Sequence, residues 1–137
     1  MISFFTEDIT FDTGKTKSRK AWIKSIIEQE GFQPGDINYI FCSDEYLWKI
    51  NMEYLNHDTY TDIITFDQSE SEKEISGDIY ISIERLEEKS RDHRSPFDDE
   101  LDRLLIHGIL HLCGYSDHSQ EEKNLMRKKE DACLSLR

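Results

Sequence analysis

Basic residues are scarce in this chain of 137 residues: 17 Lys and Arg stand against 29 Asp and Glu, a formal charge of −12. Taken as an average, that balance disfavours nucleic acid as a partner, because affinity for it rests on neutralised phosphates. The cations that exist are grouped, however. Lys15, Lys17, Arg19, Lys20 and Lys24 form one cluster, Arg85, Lys89, Arg91 and Arg94 a second, and Arg127, Lys128 and Lys129 a third. A basic face can therefore persist on an acidic protein. Cysteine is limited to Cys42, Cys113 and Cys133, an odd number with no C-x-x-C pair, which argues against a disulfide framework. Proline is limited to Pro34 and Pro96, and neither an internal repeat nor a linker interrupts the chain. No apolar run approaches the roughly 20 residues needed to span a bilayer. The start, Met1 to Asp8, has neither the basic region nor the apolar core of a signal peptide. The expectation is a cytoplasmic protein with no membrane partner and no DNA partner.

What is present suffices for one domain, residues 1–137. A chain of this length buries a sizeable core unaided, so a bound metal is expected to be functional rather than structural. Ile2 to Thr6 reads as a short strand. Thr16 to Glu30 reads as a helix with Trp22, Ile23, Ile26 and Ile27 on one face and Gly31 as its stop. Ile37 to Cys42 is a strand, and Ser43 an N-cap for a helix reaching Leu55. Asp62 to Phe66 and Gly77 to Ile83 are β-branched strands separated by a polar loop, Gln68 to Glu74. A charged helix follows to His93. Ser95-Pro96-Phe97-Asp98 then predicts a helix with Ser95 as N-cap and Pro96 at its first position, running to Cys113. Ser119 and Glu122 predict a capping box for a last helix to Leu134. The elements do not follow strict βαβα alternation. They imply an α+β domain, a mixed sheet with helices packed on it.

The chemistry concentrates in His107-Gly108-Ile109-Leu110-His111-Leu112-Cys113-Gly114-Tyr115-Ser116-Asp117-His118. Residues four apart on a helix share a face, so both imidazoles can reach one ion at about 2.0–2.1 Å. Gly114 permits positive φ and lets the chain fold back, bringing Asp117 or His118 to the same ion as a third ligand. Three protein ligands leave one position for water, the arrangement of catalytic zinc, which lowers the pKa of that water to about 7. The flanking residues are apolar, and unpaired imidazoles on a buried helix are costly unless bonded or metallated. The zincin motif H-E-x-x-H has a general base after its first His. Gly108 stands there instead, which disfavours peptidase chemistry and suggests open space beside the ion. Asp62 and Asp78, at strand starts, are candidate partners for the histidines, and Tyr115 could stack on a base.

The segment resembles the YbeY family of bacterial endoribonucleases, whose signature reads H-G-x-L-H-L-x-G-Y-D-H; residues 107 to 115 match it throughout. Tyr60 to Phe66 is similar to the family's P-T-D-V-L-S-F strand, and Gly77 to Ser82 to its G-D-I-x-I-S strand. The family's third His follows the second by six residues, a position held here by Asp117, with His118 one later. Either Asp117 keeps the register as a carboxylate ligand, the preferred reading, or Ser116 is an insertion and His118 binds. Leu55 stands where the family has an arginine thought to assist at phosphate, and Arg103, one turn before His107, is a candidate substitute. The resemblance implies a zinc-dependent endoribonuclease with one zinc ion per chain. It would act on ribosomal RNA precursor, in maturation of the 3′ end of small-subunit (16S) rRNA and in ribosome quality control, with the ribosome or a ribosomal protein as a further partner. Two rival readings are a metallopeptidase-like hydrolase and a non-catalytic ribosome-associated factor whose zinc only fixes the turn at 114–118.

Overall fold

In the computed structural model, which describes residues 1–57 and 59–137, strands and helices follow the order β1 (Ile2–Thr6), α1 (Thr16–Gln29), β2 (Gln33–Cys42), α2 (Asp44–Leu55), β3 (Ile63–Asp67), β4 (Glu74–Ser82), α3 (Ile83–Asp92), α4 (Phe97–Leu112) and α5 (Gln120–Leu134). The strands form one mixed sheet in the order β1-β2-β4-β3. β1, β2 and β4 are parallel, and β3 pairs antiparallel with β4. This is the α+β architecture that the sequence implies.

Alternation along each strand sorts side chains onto two faces. Ile37, Tyr39 and Phe41 of β2 and Ile75, Ile79 and Ile81 of β4 enter the main core with α1, α4 and α5. On the other face Cys42 and Ile64 pack against Leu47 and Ile50 of α2. Burying each such aliphatic side chain contributes roughly 1.5–3 kcal/mol, so the sheet anchors everything laid on it.

α4 lies deepest. Apolar side chains cover most of its circumference, and only Arg103, His107 and His111, at positions i, i+4 and i+8, form a half-buried stripe from its second turn onward. The Tyr39 hydroxyl donates to the Leu105 carbonyl at 2.8 Å and pins this helix to the sheet. α5 is tied to α1 by the Trp22 indole, which donates to the Cys133 carbonyl at 2.9 Å. Arg19 joins α1 to α4: its guanidinium donates to Asp102 at 2.7 Å and to Asp98 at 3.0 Å, almost wholly out of solvent. It therefore leaves the basic cluster in which the sequence places it.

Local signals hold at most boundaries. Ser43 caps α2 by accepting from the Tyr46 amide, and Ser119 and Glu122 form a reciprocal capping box on α5. The start of α4 departs from expectation. Pro96 is the N-cap, with no side-chain cap, and Ser95 instead has its carbonyl bound by the Ser90 hydroxyl at 2.6 Å. Asp98, Asp99 and Glu100 in the first turn answer the helix dipole in place of the missing cap.

Gly108 also departs from expectation. A Cβ there would lie 3.0 and 3.1 Å from methyl carbons of Ile79 and 3.4 Å from Ile63. The bare Cα faces the sheet and allows close helix–sheet packing; it does not open space beside His107. Gly108→Val should destabilise the fold by about 1–3 kcal/mol through overpacking. A fall in the urea midpoint with an unchanged m-value would report it, whereas an unchanged midpoint would show that this contact is not tight.

Candidate metal centre

The stripe on α4 brings the two imidazoles together at the end of the helix. Their centroids are 4.6 Å apart with planes at 82°, and their Nε2 atoms approach to 3.0 Å. The helix then ends in a Schellman turn. Gly114 has φ +103°, its amide donates to the His111 carbonyl at 3.0 Å, and the Tyr115 amide donates to the Leu110 carbonyl at 3.0 Å. A side chain at that φ would be strained, so glycine sets where the chain reverses. The reversal carries Asp117 back over the histidines. Its Oδ2 lies 3.6 Å from His107 Nε2 and 3.4 Å from His111 Nε2. Among the described residues, His107, His111 and Asp117 form the group whose donor atoms are close enough to hold one ion.

The hydrogen bonds around the cluster decide what it can hold. His107 Nδ1 lies 2.7 Å from Glu130 Oε2, and His111 Nδ1 lies 2.9 Å from the Tyr115 carbonyl. Both partners are acceptors, so a neutral ring at either position holds its proton on Nδ1 and turns an Nε2 lone pair inward. Two lone pairs and a carboxylate oxygen then face one another across 3.0 to 3.6 Å. That arrangement is repulsive unless a positive charge joins it. A tetrahedral ion with bonds of about 2.1 Å needs donors roughly 3.4 Å apart, so the donor set fits a divalent ion of zinc type in both chemistry and spacing.

Glu130 is the residue that the sequence did not single out. It is a buried carboxylate on α5 that receives His107 on one oxygen and Arg103, at 2.9 Å, on the other. Burial pushes its pKa up, but the hydrogen bonds from His107 and Arg103 outweigh this and hold it below the ordinary carboxylate value. The available signal was its place in the helix: Met126, Glu130 and Cys133 mark the buried face of α5, where a carboxylate needs a partner.

The other expected residues are distributed as follows. Arg103 lies beside His107 but donates to Glu130 and, at 2.6 Å, to Asp131. His118 lines a cleft beside the cluster and is not one of its three members. Asp62 borders the site and pairs with Lys89. Asp78 is not brought to the site; it accepts from Asn38 at 3.0 Å and from Gln68. Tyr115 is committed elsewhere, its hydroxyl donating to Glu30 at 2.8 Å and Lys129 lying over its ring.

Glu130→Gln should lower stability by about 1–3 kcal/mol at neutral pH, the usual worth of hydrogen bonds to charged groups. The sign with pH follows from the lowered pKa. The carboxylate's contribution is fully present above its ordinary value of 4.5 and is lost as pH falls through the lower folded value. The gap between parent and variant should thus close in acid; a gap constant with pH would contradict this assignment.

Comparison with known proteins places the chain in a family. The family model described as Endoribonuclease YbeY matches residues 2–136. A protein of Flavobacterium psychrophilum named Endoribonuclease YbeY is 53% identical, over 99% of this chain and 96% of its own length. A protein of the same name from Cytophaga hutchinsonii is 48% identical, over 99% and 95%. A Thermotoga maritima protein solved in solution superposes with a TM-score of 0.71 at 27% identity, covering 99% of this chain and 88% of that one. Matched over nearly its whole length, the chain belongs to the endoribonuclease YbeY family.

Proposed function

We propose that this chain is a single-domain, zinc-dependent endoribonuclease, with His107, His111 and Asp117 as the metal ligands and water completing the site. The observation that carries the reading is the convergence of three electron-rich atoms whose orientation is fixed by Glu130 and the Tyr115 carbonyl. The family's name supplies the reaction class. Its assigned substrate, by the resemblance stated above, is precursor of small-subunit rRNA cleaved near the 3′ end in the cytoplasm, with a role in ribosome quality control.

A bound zinc ion would polarise a phosphate oxygen and make hydroxide available near neutral pH. The protein's own part is to hold and orient. The inward lone pairs of His107 and His111 are preset by their Nδ1 hydrogen bonds, so no ring must turn when the ion is taken up. Asp117 places one negative charge in the cluster and offsets part of the ion's charge. Arg103 braces Glu130, which braces His107; in this reading it acts at the ion only through them. Two clefts, of about 320 and 590 Å³, meet at His107 and Asp117 and give an RNA strand a path across the site. A non-catalytic zinc would call for a fourth protein ligand, and His118 stands outside the cluster. A peptidase is not expected either, since glycine at 108 offers no base.

The test uses protein purified without a histidine tag. The parent and His118→Ala should carry about one zinc per chain; Asp117→Ala and the double variant His107→Ala/His111→Ala should lose it. RNA cleavage should fall at least about a hundredfold with the metal, within the several kcal/mol a Lewis acid supplies. Undiminished cleavage by a metal-free double variant would overturn the proposal, and zinc lost only in His118→Ala would reassign the third ligand.

A further inference from the structure

The two clefts at the cluster differ in charge. The larger is lined by residues such as Asn51, Thr59, Thr61 and Thr65, and among the described residues no Lys or Arg lines it. The smaller is lined by four basic side chains, Lys89, Arg103, Lys123 and Arg127, together with His107 and Asp117. Half of that positive charge is already spent. Lys89 is held by Asp62, and Arg103 by Glu130 and Asp131. His93, also on this wall, sits 3.1 Å from Glu100. Lys123 and Arg127 are different. They are exposed, stand four apart and so share one face of α5, and form no salt bridge among the described residues. Arg127 is near enough to lower the pKa of Asp131, but that carboxylate is already engaged by Arg103.

We propose that Lys123 and Arg127 form a phosphate-binding subsite that holds the backbone of single-stranded RNA in the smaller cleft, next to the bond cut at the cluster. The inference rests on the endoribonuclease reading above and deepens it by naming where the substrate's charge is met. A chain of net charge −12 repels a polyanion at long range, but solvent ions screen that repulsion beyond roughly 8–10 Å. Unneutralised cations on the cleft that reaches the cluster therefore set the charge a bound phosphate meets locally. The helix presents two of them side by side, and the wall they stand on ends at the cluster.

The measurement is steady-state cleavage of a short fluorescein-labelled single-stranded RNA by the zinc-loaded protein over a salt series. Lys123→Ala/Arg127→Ala should raise KM with little change in kcat and keep its full zinc content. It should also flatten the slope of log KM against log salt by about 1.4, or 0.7 per lost phosphate contact, which amounts to about a 25-fold higher KM at roughly 0.1 M salt. The charge-conserving Lys123→Arg/Arg127→Lys should behave as the parent. Lys17→Ala/Lys24→Ala, which removes the same charge from α1, should leave KM and slope unchanged. An unchanged KM and slope in the alanine pair, or an equal effect from the α1 pair, would overturn the subsite while the parent still cleaves. A zinc-loaded parent that cuts no RNA would instead overturn the endoribonuclease reading, and the subsite with it.

Discussion

Two imidazole lone pairs and a carboxylate oxygen are held within 3.6 Å of one another at the end of α4, and only a positive charge makes such a convergence favourable. Much of the surrounding structure can be understood as what keeps those atoms in place. The apolar surface of α4 fixes the helix against the sheet, with Tyr39 gripping its backbone and Gly108 permitting contact with Ile79. The Schellman turn at Gly114 sets the point of return for Asp117. Glu130 reaches across from α5, so the last helix is bonded to the same histidine that faces the cluster. A metal bound at the proposed site would be coupled to the docking of α5, because what orients His107 also holds the two helices together.

The chain's acidity and its reaction class are reconciled by how its charges pair. Arg19 is buried against Asp102, Arg85 is held by Asp44, and Lys129 by Glu30. Each of the basic clusters visible in the sequence thus loses members to internal ion pairs. Average charge would place the molecule among proteins that avoid nucleic acid; the arrangement leaves Lys123 and Arg127 without a salt bridge among the described residues, on a cleft that reaches the cluster.

Legibility in the sequence followed the range of the interaction that decides each feature. The β-branched runs at Asp62 to Phe66 and Gly77 to Ile83 and the capping residues Ser43 and Ser119 act over a few residues, and their elements form as expected, although β4 begins earlier, at Glu74. The i, i+4 histidines and the glycine stop are equally local, so two members of the cluster were readable outright. Asp117 against His118 was a matter of register in a turn, which sequence alone left open. Features decided across the fold were not readable. Glu130 meets His107 over 23 positions, and the first half of β2, from Gln33, forms only because Glu74 and Ile75 pair with it. Gly108 misled because its missing side chain faces Ile79, a neighbour that only the packed helix reveals. Ser95 misled because Ser90 had already claimed its carbonyl and Pro96 took the cap.

The ligands around a bound ion decide between a two-histidine, one-carboxylate site and any other. Zinc K-edge X-ray absorption on the loaded protein measures this directly. It should show a four-coordinate site with two imidazole nitrogens at about 2.0–2.1 Å, the remaining ligands oxygen, and no sulfur. Three or more imidazoles, or a sulfur shell near 2.3 Å such as a cysteine thiolate would give, would contradict it.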